Sequence, residues 1–231
     1  MNGIIGGTSL LNSSIFESWN EHRVETPYGD IYTKIRGSTV FIQRHGNPPV
    51  PPHVINHKAN IWAFKKLDVK KILSVNSVGS LKLKFKPGTF VIPDDFISLW
   101  NIATFFEKDM KFIVPQMHEG IKEYLAALCK KLRMQIHFGG VYIQTIGPRL
   151  ETKAEIGFLK RFGDIVGMTM ASEATLCMEY EIPYVSLCSV DNYCNGIIKV
   201  PLTIEEINRN WQNNMKEIEG MIEIIIEKDF S

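Results

Sequence analysis

Apolar positions along the chain fall into short runs and helical stripes that take turns. Ile31 to Ile35 and Val40 to Gln43 read as short strands, Ile55 to Leu67 as a helix, and Lys71 to Val75 as a buried strand leading to Asn76-Ser77-Val78-Gly79-Ser80. The order then repeats. Phe90 to Pro93 is a strand, Gly120 to Leu132 a helix with Ile121, Tyr124, Leu125, Leu128 and Leu132 on one face, and Gly140 to Thr145 another strand. Thr152 to Phe162 and Ser172 to Tyr180 are expected helices, with the strand Tyr184 to Val190 after them. The last helix is expected to start at Thr203, where Thr203 and Glu206 have capping-box spacing; Ile204, Ile207, Trp211, Met215, Ile218, Ile222 and Ile225 form its apolar stripe. Strand and helix alternating to the end predict an α/β fold. Asn47-Pro48-Pro49-Val50-Pro51-Pro52 is too short for a linker and reads as a stiff loop, so one domain over residues 1–231 is expected.

Composition narrows the partners. With 231 residues and 45% apolar content the chain can bury a full core. Its 26 basic and 25 acidic side chains leave a net charge of +1 with no run of like charge, a pattern that supports neither nucleic acid nor a membrane surface as partner and points to a small molecule. Met1 leads directly into Asn2-Gly3-Ile4-Ile5-Gly6-Gly7, without a basic segment or a long apolar stretch; no signal peptide or membrane span is expected, and a cytoplasmic location is. Cys129, Cys177, Cys188 and Cys194 form no CxxC pair, which argues for reduced thiols over a zinc site or a disulfide framework.

Several polar clusters fall where strands should end. Ile4-Ile5 runs into Gly6-Gly7-Thr8-Ser9, glycines that permit close backbone approach followed by two hydroxyls; alone, this is equally a tight turn. Arg44-His45-Gly46 follows the strand ending at Gln43, where an arginine is suited to gripping phosphate bidentately and a solvated surface pair is the plain alternative. Gly147-Pro148-Arg149-Leu150-Glu151-Thr152 and Gly167-Met168-Thr169-Met170-Ala171-Ser172-Glu173 each look like a glycine-broken strand end feeding a helix. Thr8, Arg44, Asn76-Ser77 and Met168-Thr169 thus place four anion-capable groups where one end of a sheet would gather them.

These same segments resemble the trimeric purine nucleoside phosphorylases, a family that includes the methylthioadenosine and methylthioinosine phosphorylases. Thr26-Pro27-Tyr28-Gly29, Pro51-Pro52-His53, Ala59-Asn60-Ile61-Trp62-Ala63, Gly79-Ser80-Leu81 and Pro87-Gly88 extend the resemblance from Gly3 to about Ile207. It implies one phosphorylase-type domain with a central mixed sheet flanked by helices, inorganic phosphate as co-substrate, no metal or other cofactor, and a homotrimer. By the same resemblance, Thr8, Arg44, His45, Ser77 and Thr169 hold phosphate, while Met168, Val78 and Gly79 line the nucleoside site. Glu151 accepts from N1–H of a 6-oxopurine, and Asn192 donates to O6 while accepting from a protonated N7. Ile204, aligned where ordinary relatives place a histidine for the 5′-hydroxyl, implies a methylthio group and so 5′-methylthioinosine; inosine, guanosine and methylthioadenosine are the alternatives. Ser172, His57 and Ser9 depart from the family pattern. The stretch from Asn101 to His118 is shortened, which leaves Phe112 or His118 to reach a neighbouring subunit. A hydrolase would need a base or metal cluster that the aspartates do not form, and a binding protein without turnover is the non-enzyme alternative.

Overall fold

Consecutive apolar residues in the strands point to opposite faces, and both faces are covered. In the computed structural model, which describes residues 1–100 and 103–228, the chain runs through β1 (Asn2–Gly6), β2 (Asn20–Val24), β3 (Ile31–Arg36), β4 (Thr39–Gln43), α1 (His57–Lys66) and β5 (Lys71–Ser80). It continues through β6 (Phe90–Ile92), β7 (Asp95–Ser98), α2 (Glu119–Lys131), β8 (Ile136–Phe138), β9 (Val141–Gln144) and α3 (Lys153–Leu159). The last elements are β10 (Ile165–Gly167), α4 (Met170–Glu179), β11 (Tyr184–Tyr193) and α5 (Ile204–Lys228). Ile5, Ile42 and Ile72 pack with residues of α1 and α4, such as Phe64 and Ala174. Their neighbours Ile4, Phe41 and Leu73 pack on the other face with Leu125 of α2 and Ile222 of α5. A sheet buried on both sides explains why these strands are continuous apolar runs and not alternating ones.

All the strands belong to one mixed sheet in the order β2-β3-β4-β1-β5-β10-β9-β7, with β11 also on β5, β6 on β11 and β8 on β6. The β1–β4, β1–β5 and β5–β11 pairs are parallel; β5–β10 and β6–β11 are antiparallel. The α/β architecture and the mixed sheet agree with the sequence.

Two expected boundaries move in a way that matters for the site. The apolar run ends at Val75, but β5 continues to Ser80; the run Tyr184 to Val190 likewise continues to Tyr193. The two extensions pair with each other, so their backbone groups are satisfied inside the sheet although their side chains are mostly polar and show no apolar run. Their register shifts between Val190 and Asn192, which leaves Asp191 as the extra residue of a bulge. The strand β2, Asn-Glu-His-Arg-Val, has only one buried residue and gives no periodicity to read; β3 holds it by backbone pairing. Helix α2 is capped by His118, whose Nδ1 accepts from the Ile121 N–H at 3.3 Å, so this ring is engaged within its own chain. Phe112 is 89% exposed, while Asn101 and Ile102 of the shortened stretch lie outside the described residues.

The stripe of α5 divides. Ile218, Ile222 and Ile225 are fully buried against the sheet, whereas Ile204 is 59% exposed. Ile222→Ala is expected to lower stability by about 2–5 kcal/mol, the range for truncating a buried aliphatic side chain, and Ile204→Ala by less than about 0.5 kcal/mol. Urea unfolding of the two variants beside the parent protein checks this division.

Candidate active site

The carboxyl ends of β1, β4, β5, β10 and β11 converge, and the first group they organise is a buried ion pair. Arg44, directly after β4, is 3% exposed. Its Nε donates to Glu173 Oε1 at 2.6 Å, and Nη2 donates to Ser74 Oγ at 2.7 Å and to the Val75 carbonyl at 2.9 Å. Glu173, from α4, also accepts from Ser74 Oγ at 2.6 Å and from the Tyr184 hydroxyl at 3.0 Å. The guanidinium fork expected to grip phosphate through two nitrogens is therefore committed to protein partners, because a buried cation needs a buried anion. Nη1 remains, held against Gly7: a Cβ there would lie 1.8 Å from Nη1, so only glycine lets the β1 turn close over the arginine.

Around this pair the hydroxyls and the imidazole are held by specific partners. Ring Nδ1 of His45 lies 2.7 Å from the Val50 carbonyl; a carbonyl only accepts, so Nδ1 carries the proton and Nε2 is left as an acceptor. Burial, reinforced by the Arg44 charge, lowers the His45 pKa and favours that neutral form. Thr169 Oγ1 donates to Asn76 Oδ1 at 2.8 Å, and its backbone N–H donates to the Tyr142 hydroxyl at 3.2 Å. Asn76 is buried, with its amide donating to Ser74 and Ser186, so it acts as a bracket and not as cavity wall. Ser77 Oγ donates to Asp191 Oδ2.

These groups face a partly open cleft with a cavity volume of about 200 Å³. Thr8, Arg44, His45, Ser77 and Thr169 line it, as do Val78, Gly79, Glu151, Met168 and Asn192. Glu151 accepts from Thr145 Oγ1 at 2.6 Å, and Asn192 donates one amide hydrogen to the Tyr193 carbonyl at 3.0 Å, leaving its oxygen and second N–H for another partner. Gly79 permits this arrangement, since a Cβ would fall 2.6 Å from Cys194 Sγ and 3.2 Å from Asn192 Nδ2. Burial raises the Cys194 thiol pKa far above its usual value, so this residue lines the cleft as a small apolar group.

Ile204 is the exception. It opens the first turn of α5 facing solvent, and the next turns supply Ile207, Asn208 and Trp211 to the cleft, together with Leu202 before the helix. The sequence placed Ile207 and Trp211 on one apolar stripe with Ile218 and Ile222; only the sheet's outline decides which members of that stripe reach the core and which overhang the cavity. Glu173 also went unrecognised, although it stands in the Gly167–Glu173 segment. Its pairing with Arg44 spans 129 positions, and no local spacing reveals it.

His57 is half-buried near the same ion pair, its Nδ1 sealed from solvent with no partner among the described residues, and desolvation lowers its pKa to about 4. The unfolded chain takes up a proton here below about pH 6.5 and the native state does not, so stability is lost as pH falls toward 4, by up to about 3 kcal/mol. His57→Leu is expected to remove this loss, measured as the parent-minus-variant difference in unfolding free energy at about pH 7 and about pH 4.5. Asp191, whose pKa burial raises to about 6, acts in the opposite direction in the same window but equally in both proteins. Glu173→Ala, which strands the Arg44 charge, is expected to cost about 3–5 kcal/mol in the same unfolding assay.

The sequence profile of the phosphorylase superfamily matches residues 3–227. A protein of Archaeoglobus fulgidus named Probable 6-oxopurine nucleoside phosphorylase is 38% identical over 234 residues, covering 99% of this chain and 96% of the relative. One of Methanocaldococcus jannaschii named Probable S-methyl-5′-thioinosine phosphorylase is 40% identical, covering 98% and 90%. Among solved structures, an adenosine/methylthioadenosine phosphorylase from Schistosoma mansoni in complex with methylthioadenosine superposes with a TM-score of 0.83 at 23% identity, over 97% of this chain and 90% of that one, which shows a shared fold. With a profile match from end to end and full-length relatives at 38% and 40% identity, the chain belongs to the phosphorylase superfamily.

Proposed function

We propose that the chain catalyses phosphate-dependent cleavage of the N-glycosidic bond of a 6-oxopurine nucleoside, with 5′-methylthioinosine as its preferred substrate. The observation that carries this reading is the meeting, in one cleft, of Glu151 and Asn192 with Thr8, Ser77, Thr169 and Arg44. In the reaction a phosphate oxygen attacks C1′ of the ribose, the bond from C1′ to N9 breaks, and its electron pair goes to the purine, which takes a proton from solvent at N7 as it leaves. Asn192 accepts from that N7–H through Oδ1 and donates its remaining N–H to O6, while Glu151 accepts from N1–H. The N–H donated to O6 strengthens as negative charge builds on the base, which is where stabilisation lowers the barrier, while the Glu151 contact persists and holds the purine in place. Arg44 Nη1, oriented by Glu173, supplies positive charge to phosphate, and the His45 Nε2 acceptor suits a phosphate or ribose O–H. No step calls for a metal.

The 5′ preference rests on α5. Leu202, Ile207 and Trp211 give the cleft an apolar wall that suits a methylthio group, while Asn208 is the polar group on the same helix that favours the second reading, inosine or guanosine. A homotrimer is part of the proposal: Trp100, Ile146 and exposed Phe158 line an adjoining apolar cleft that shares Glu151 with the candidate site. A cytoplasmic location is proposed with it; among the described residues no helix is long and apolar enough to cross a membrane.

Release of free base is expected to require added phosphate, and kcat/KM is expected to favour methylthioinosine over inosine by roughly 10-fold to 100-fold, the worth of one hydroxyl buried without a partner. Ile207→Asn should narrow that ratio. Asn192→Asp is expected to shift preference from 6-oxo toward 6-aminopurine nucleosides, because a carboxylate repels O6 and accepts from an amino group. A panel of methylthioinosine, methylthioadenosine, inosine, guanosine and adenosine, assayed with and without phosphate, decides these points. Phosphate-independent base release would identify a hydrolase, and no release at all would leave a binding protein.

A further inference from the structure

Behind the phosphate wall stands a carboxyl group that the proposed chemistry does not use. Asp191, the extra residue of the β11 bulge, is 1% exposed. Its Oδ2 accepts from Ser77 Oγ, and its Oδ1 accepts from Ser189 Oγ at 2.6 Å and from Asn214 Nδ2 at 3.2 Å. Asn210 Nδ2 donates to its carbonyl at 2.8 Å. The elements packed around it bring hydroxyls and amides: Ser77 comes from β5, Asn210 and Asn214 from α5, and the stretch leading into β6 pairs Thr89 with Val190 through the backbone. Lys86 before β6, and Arg209, Lys216 and Glu217 of α5, are exposed. The buried titratable groups of this region are Cys188 on β11, which feels the Asp191 charge, and the Arg44–Glu173 pair. With no cation among the described residues to offset it, burial raises the Asp191 pKa to about 6, while its hydrogen bonds from Ser189, Ser77 and Asn214 pull the other way.

A serine hydroxyl has one proton to give. When Asp191 is ionised it takes that proton's hydrogen bond, so Ser77 turns only lone pairs toward the cleft, the wrong face for an anion whose oxygens accept. When Asp191 is protonated it donates to Ser77, and the serine O–H is free to turn into the cleft and donate. We infer that Asp191 is a positioning residue that switches Ser77 from acceptor to donor, so that binding of inorganic phosphate draws a proton from solvent onto Asp191. This inference rests on the proposed phosphate site and adds to it a coupling of phosphate affinity to pH.

The test is calorimetric titration of the intact protein with inorganic phosphate, in buffers of different ionisation heat near neutral pH, for the parent, Asp191→Asn and Ser77→Ala. Titration of phosphate itself and of His45 is common to all three proteins, so the difference in protons taken up isolates Asp191. The parent should take up close to one proton more per phosphate than either variant. An asparagine amide donates to Ser77 at every pH, so the parent Kd should weaken relative to Asp191→Asn by about tenfold for each pH unit above 6. Equal uptake in parent and Asp191→Asn overturns the inference and means that Ser77 accepts from the phosphate's own O–H; full uptake in Ser77→Ala overturns it too. Thermal melting confirms that each variant is folded, and if Asp191→Asn is not, the Ser77→Ala comparison decides alone. A parent protein that binds no phosphate overturns the underlying phosphate site, an outcome distinct from binding without the extra proton.

Discussion

The buried contact between Arg44 and Glu173 is the constraint around which the candidate site is arranged. A guanidinium sealed beneath the β1 turn has no water to solvate it, and the carboxylate of α4 is its counterion. That requirement places α4 against β4 and β5, recruits Ser74 and Tyr184 as further donors to the carboxylate, and demands glycine at position 7. The start of α4, with Thr169 and its bond to Asn76, is held in the same stroke. Four segments far apart in sequence therefore meet at a preorganised polar wall, the kind of rigid support that electrostatic catalysis needs.

The second organising feature is the pairing of β5 with β11 beyond their apolar stretches. Two polar strand ends side by side satisfy each other's backbone, and the bulge at Asp191 changes the direction in which the following side chain points. Asn192 thereby lines the cleft while Asp191 is buried between Ser77 and α5. One inserted residue separates the group facing the cleft from the group buried behind Ser77.

Helix α5 belongs to both the core and the cleft. Its later turns are core, and removing them would open the face covered by α2. Its first turns overhang the cleft, so side chains there can change without disturbing the docked remainder of the helix. Full-length relatives at similar identity bear the names of both 6-oxopurine nucleoside and methylthioinosine phosphorylases, as expected if the 5′ preference is held by a few residues on such an overhang.

Much of this was legible in the chain alone. Apolar runs and stripes define the α/β alternation and most element cores, because burial on a sheet or helix face leaves a period in the sequence. The glycine-broken strand ends mark where polar side chains gather, and ten of the residues singled out there and through the family resemblance line one cleft. What local pattern could not decide was set by contacts between distant segments. The commitment of Arg44 to Glu173, the continuation of β5 and β11 through polar residues, and the bulge that separates Asp191 from Asn192 all depend on which strands and helices become neighbours. The exchange of Ile204 for Ile207 and Trp211 has the same origin: periodicity shows that a helix has an apolar face, but only the packed sheet determines where that face leaves the core and begins to line a cavity.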